Sequence, residues 1–183
     1  MVNADPRPLM TVDMDGVFCE PPLGQNLGIH RSFYNPTAEP HPARVYPRWV
    51  NTPLDRLRFD FRRPMPGACD ALQRLATVRR LVMVTGRRTR PSSWLRHYEF
   101  DGLFEAVYVN QSSLGSAHYK QATLRRLGAV EHVEDDARTA QLLAQTTGAK
   151  VYLCDWPRNQ NLPLAPGIER VPDLVALAAR LAP

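Results

Sequence analysis

The sequence predicts a doubly wound α/β domain built on a parallel sheet. Short, nearly continuous apolar runs alternate with longer segments of helical period. Glycines and capping residues stand where those segments should start and stop. Strands separated by helices require right-handed crossovers, and those give a parallel sheet with helices on both faces.

Four apolar runs read as buried strands: Leu9–Asp13, Leu81–Thr85, Ala106–Asn110 and Val151–Cys154. A fifth, around Val130–Glu134, is weaker by pattern but lies between two helical segments. Ala68–Val78 follows Pro66-Gly67 and sets Ala68, Leu72, Leu75 and Ala76 on one face. The other predicted helices are Ser92–Tyr98, Tyr119–Leu127, Ala137–Thr146 and Pro172–Leu181. Asp136 is the expected N-cap of the fourth helix, and Gly128 and Gly148 occupy C-cap positions.

The 183 residues fit a single domain, 1–183, large enough to bury a core. One stretch breaks the alternation. Residues 17–66 hold nine prolines, seven of the fifteen aromatics, and seven arginines against four acids, with no helical period. Fifty residues is too long for an ordinary connection, so the segment reads as a flap or lid inserted after the first strand.

Composition sets the outer limits. No run approaches the roughly 18 apolar residues of a membrane span, and the first residues lack a signal-peptide pattern. A soluble, cytoplasmic protein is expected. Cys19, Cys69 and Cys154 are widely spaced and form neither a zinc pair nor a disulfide framework, so free thiols are expected. The net charge of +5 would suit a polyanionic partner. However, 21 of the 23 basic residues are arginine, in a chain rich in Ala and Pro, which reads as a composition bias. Nucleic-acid binding is therefore not favoured.

Four strand ends carry the chemistry. The first is Asp13-Met14-Asp15-Gly16, a pair of acids two apart where open α/β sheets bind ligands, with Gly16 permitting the turn. A calcium loop starting at Asp13 would need Glu at its twelfth position, where Gly24 stands. The second is Thr85-Gly86-Arg87, a hydroxyl and a glycine able to serve a phosphate oxygen. Lys120 follows the third strand in a chain with only two lysines. The fourth is Glu134-Asp135-Asp136, whose mutual repulsion calls for a counter-charge such as a magnesium ion.

That ordered set resembles the four motifs of the haloacid dehalogenase superfamily over residues 9 to about 155. The resemblance implies a three-layer, Rossmann-like fold and a magnesium-dependent phosphomonoester hydrolase acting through an aspartyl-phosphate. It assigns Asp13 as nucleophile and Asp15 as general acid and base. Thr85 and Lys120 would bind the transferring phosphoryl group. Magnesium ligands would come from Asp13, the Asp15 backbone carbonyl and Asp135, with Glu134 behind them. Gly16, Gly86 and Arg87 would contact substrate. An acid at position 15 is the superfamily's mark of phosphatases rather than dehalogenases. Response-regulator receivers use similar residues, but their phospho-accepting Asp stands on a middle strand, and here that strand ends in Thr85.

The resemblance also bears on substrate. No helical cap is legible, so the site should be open or covered by the flap. Asp155-Trp156-Pro157-Arg158-Asn159 is similar to a segment of deoxyribonucleotidase-like members, which ranks nucleotides first among small substrates. A phosphatase acting on nucleic-acid ends and a non-catalytic module on the same fold are the alternatives.

Overall fold

The computed structural model describes residues 5–21, 32–40, 42–43 and 61–183. Six strands form one sheet in the order β3-β2-β1-β4-β5-β6, with every neighbouring pair parallel. They are β1 (Leu9–Val12), β2 (Arg80–Thr85), β3 (Ala106–Val109), β4 (Glu131–Glu134), β5 (Lys150–Cys154) and β6 (Ile168–Val171). The helices are α1 (Ala68–Val78), α2 (Ser92–His97), α3 (Ser116–Leu127), α4 (Ala137–Thr147) and α5 (Leu174–Leu181). The chain runs outward from β1 to β3, then returns to β4 on the other side of β1. The switch point between β1 and β4 is where an open α/β sheet leaves a crevice at its carboxyl ends.

Side chains alternate across the sheet because successive Cβ atoms point to opposite faces. Met10, Val12, Leu81, Met83 and Val133 join one core with Leu72 and Leu75 of α1 and Leu174 and Leu177 of α5. Val82, Val84, Val151 and Leu153 join the other with Leu124 of α3 and Ala140 and Leu143 of α4. In this second layer β1 and β4 contribute Thr11 and His132, both fully buried and paired in register. Their hydroxyl and imidazole meet at 2.8 Å, so two polar groups sit in a core and satisfy each other.

The predicted caps are in place. Asp136 accepts the Arg138 amide at 3.3 Å, and Gly128 and Gly148 end their helices at φ 63° and 73°. Most boundaries agree with the sequence reading to within a residue, but two helix starts and one strand differ. Helix α3 begins at Ser116 rather than Tyr119, which puts Lys120 one turn inside it instead of at its start. Helix α5 begins at Leu174, because Asp173 caps it by accepting the Ala176 amide at 2.7 Å. Strand β6 was not predicted. It is an edge strand whose polar Glu169-Arg170 centre hides the apolar signal.

The proline-rich segment leaves and returns through a narrow neck. Glu20 N donates to Arg63 O at 2.8 Å and Met65 N to Phe18 O at 2.9 Å. Phe18 is a core residue packed against Trp94, Phe100 and Phe104, whereas Phe61 is exposed. Tyr46, Trp49 and Phe59, on which the flap reading partly drew, lie outside the described residues. The three cysteines are free, as expected. No helix among the described residues is long and apolar enough to cross a membrane.

Candidate active site

Asp13 is the first residue past β1, and its amide still donates to Val133 O at 3.0 Å. The strand pairing therefore fixes its carboxylate at the switch point. Met14 O then accepts the amides of Val17, Phe18 and Cys19, a tight turn that needs Gly16 at φ 75°. The Gly16 amide is committed to Cys19 O at 2.8 Å, so Gly16 shapes the loop.

Asp13, Asp15, Thr85, Gly86, Lys120 and Asp135 line one cleft of about 390 Å³. Tyr34 borders the same cleft, with its ring 5.5 Å from that of His118 and 5.9 Å from the Arg138 guanidinium. Gly86 is there for close approach: an added Cβ would stand 2.2 Å from Ser116 Oγ and 2.7 Å from Ser116 Cβ. The end of β2 and the start of α3 are pressed together by that missing side chain.

Lys120 is buried and bridges two carboxylates, with Nζ at 2.7 Å from both Asp13 Oδ2 and Glu134 Oε2. Burial alone would favour the neutral amine, but Asp13 and Glu134 hold its pKa above the ordinary lysine value. Despite burial, Lys120 and His132 likewise hold Glu134 below the usual carboxylate range. Burial pushes the Asp13 carboxyl up to about 7 against the pull of Lys120, with Glu134 and Asp15 adding to the rise. Asp135 is pushed well up by burial, with Glu134 and Asp13 adding to the rise.

Glu134 is anchored on every side. Oε2 faces His132 Nε2 at 3.1 Å as well as Lys120, and Oε1 accepts the amides of Asp135 and Asp136 at 3.1 and 3.3 Å. Burial pushes the His132 pKa down, against the pull of Glu134. Nε2–H can donate to Glu134, while Nδ1 meets the Thr11 hydroxyl, which also reaches Glu131 O at 3.2 Å. Thr11, His132, Glu134, Lys120 and Asp13 thus form one buried polar line. His132 carried no functional reading in the sequence, because nothing local distinguishes it from a satisfied core histidine.

Oxygens of Asp13, Glu134 and Asp135 come within 4.8 Å of one another. Asp13 Oδ1 is buried and accepts no hydrogen bond among the described residues. A buried carboxylate oxygen without a donor is costly, and three hard oxygen donors with excess negative charge fit a divalent cation of the magnesium type. With both Glu134 oxygens engaged, Asp13 and Asp135 are the residues best able to bind it directly. The Asp15 side chain does not join this group. Arg87 takes it in a two-point grip, Nε to Oδ2 at 2.9 Å and Nη2 to Oδ1 at 2.6 Å, and Arg62 adds a contact at 2.7 Å.

Arg87 therefore lies in the cleft wall with its guanidinium turned onto Asp15. Arg88 is spent on structure, donating to the carbonyls of Asn110 and Ser112 in the loop before α3. Thr85 accepts the Arg87 amide at 3.3 Å. Sequence reasoning also missed Arg62, Trp156, Arg158 and Asn159 as neighbours of the motif loops. Trp156 Nε1 donates to Gly16 O at 2.8 Å, and Arg158 pairs with Asp135 at 2.9 Å.

No family model matches the sequence, and no curated protein matches it. Among solved structures, the chain is similar to a subfamily IA hydrolase of the haloacid dehalogenase superfamily from Geobacter sulfurreducens. Identity is 16% over 96% of this chain and 100% of that one, with a TM-score of 0.58. It is similar to CbbY from Rhodobacter sphaeroides in complex with phosphate, at 14% identity over 93% and 96% of the two chains and a TM-score of 0.58. It is also similar to L-2-haloacid dehalogenase from Xanthobacter autotrophicus with chloropropionic acid covalently bound. There, identity is 14% over 66% of this chain and 61% of that one, with a TM-score of 0.51. At such identities the likeness is one of architecture: the chain has the fold of the haloacid dehalogenase superfamily.

Proposed function

We propose that this protein is a magnesium-dependent phosphomonoester hydrolase that forms an aspartyl-phosphate on Asp13. The observation that carries the reading is the buried Asp13 carboxylate beside Asp135, with Oδ2 on Lys120 and Oδ1 without a donor among the described residues. Displacing a halide from carbon needs no cation between anionic groups and no proton for the leaving atom. A three-carboxylate cluster and a separately held Asp15 have no use in that reaction, and both serve phosphoryl transfer.

Asp13 would attack phosphorus in line, forming an oxygen–phosphorus bond as the ester oxygen departs. Asp15 would give that oxygen its proton, then take one from the water that cleaves the acyl phosphate. Arg87 and Arg62 fix where the Asp15 carboxyl can reach. Lys120 and the Thr85 hydroxyl would hold phosphoryl oxygens, with the first amides of α3 adding partial positive charge at the Ser116 end. When bound by Asp13 and Asp135, magnesium would offset the repulsion between an anionic nucleophile and an anionic phosphate.

A nucleotide is the favoured substrate, because Tyr34 places an aromatic face on the cleft beside Arg138 and His118. The deciding experiment measures phosphate release from nucleotides, sugar phosphates and oligonucleotides phosphorylated at either end, with magnesium and with EDTA. Mononucleotides should be cleaved best, and EDTA should abolish turnover. Preference for oligonucleotide ends would move the substrate to nucleic acid. Absence of magnesium-dependent release from every compound between about pH 5 and 9 would favour a non-catalytic module.

A further inference from the structure

The short turn Pro157–Asn159 follows β5 and stands over the candidate cation site. Asn159 is buried there and braces the main chain. Its amide donates to Asp135 O at 2.8 Å and Cys154 O at 3.1 Å, and its carbonyl accepts the Ala137 amide at 3.3 Å. Arg170 of β6 holds the turn from outside, donating to Asn159 O at 2.6 Å and pairing with Asp155 at 3.1 Å. Asn159 thus gives the Asp135 carbonyl a neutral donor of its own.

Arg158 adds something different. Its Nη2 reaches both Asp135 O and Asp135 Oδ2 at 2.9 Å, and the two side chains are only 18% and 10% exposed. Among the described residues, three clustered carboxylates face two cations, Lys120 and Arg158. Lys120 touches Asp13 and Glu134, whereas Arg158 alone among these cations pairs with the carboxylate best placed to bind a metal directly.

We propose that Arg158 is a built-in counter-charge that lowers the site's affinity for magnesium while stabilising the cation-free cluster. This rests on the reading of Asp13, Glu134 and Asp135 as a cation site. A guanidinium hydrogen-bonded to a ligating carboxylate draws charge from its oxygens and repels an incoming cation through a partly buried medium. Arg158 therefore acts through Asp135 as a positioning residue. The protein would exchange magnesium readily instead of trapping it.

The test is isothermal titration of the full chain with magnesium chloride at fixed ionic strength. R158Q, which removes the charge, should bind magnesium at least about fivefold more tightly than wild type. R158K, which keeps the charge, should stay within about twofold. Asn159 keeps the loop in place, and R158M serves in place of R158Q if the polar side chain fails to fold by circular dichroism. Equal or weaker binding by the uncharged variant overturns the proposal. Wild-type protein that binds magnesium but hydrolyses no phosphate ester sinks only the phosphatase reading. Wild-type protein that binds no magnesium at millimolar concentration sinks both.

Discussion

Arg87 holds Asp15 through both carboxylate oxygens, at 2.9 and 2.6 Å, with its own side chain only 2% exposed. A buried guanidinium with such a grip fixes the direction of the acid more firmly than a surface pair could. Arg87→Met should leave the fold intact and lower kcat by about tenfold or more, a fraction of what a general acid supplies. Arg62→Met should cost less, because it removes one contact where Arg87→Met removes two. Steady-state kinetics on an aryl phosphate check both. The loss should shrink for substrates with more acidic leaving groups, which need less proton donation.

Asp13→Asn should reduce turnover by more than about a thousandfold, because a covalent nucleophile is lost. Acid-quenched wild type incubated with labelled substrate should carry phosphate on the protein, and the variant should carry none. A variant with a tenth of wild-type activity would remove Asp13 from the mechanism.

The same residue gives a pH signature in metal-free protein. Burial raises the Asp13 pKa to about 7 in the folded state, so between the ordinary carboxylate value and that point the fold holds a proton the unfolded chain has released. The associated stability is present at low pH and lost as pH rises through about 7. Relative to Asp13→Asn, EDTA-treated wild type should therefore lose stability across this window. Added magnesium should raise Tm more at pH 8 than at pH 5.5. Thermal melts of both proteins check the sign, and parallel curves would refute it.

Lys120→Met should destabilise the metal-free protein by about 3–5 kcal/mol, since it leaves Asp13 and Glu134 as buried charges without their shared ammonium. Urea titration measures this, and magnesium should restore part of the loss.

Gly86→Ala should cost about 1–3 kcal/mol, because its Cβ falls 2.2 Å from Ser116 Oγ. Ser116→Gly in the same chain should recover part of it, a coupling that a double-mutant cycle reads directly.

The sequence exposes what local pattern encodes. Strands β1, β2 and β5 are buried on both faces, so their apolar runs stand out, and the acids and Thr85 follow from where those runs stop. Asp136, Gly128 and Gly148 announce helix ends through residue chemistry alone. Strand β4 is faint because His132 and Glu134 interrupt it, and their partners Thr11 and Lys120 come from other elements. Arg158 and Asn159 are more than twenty residues from Asp135, and only the β4–β5 pairing brings them to it. Arg87 is legible as a neighbour of Thr85, yet its attachment to Asp15 spans 72 positions of sequence, which no periodicity encodes.

Two indoles are wired to the acid-bearing loop. Trp156 Nε1 donates to Gly16 O, and Trp94 Nε1 donates to the carbonyl of Arg62, whose guanidinium grips Asp15, each at 2.8 Å. Indole emission responds to hydrogen bonding and nearby charge, so the native chain carries its own optical reporters beside the chemistry. A rearrangement of the Asp15 loop on ligand entry that breaks either bond should change the fluorescence, without a label.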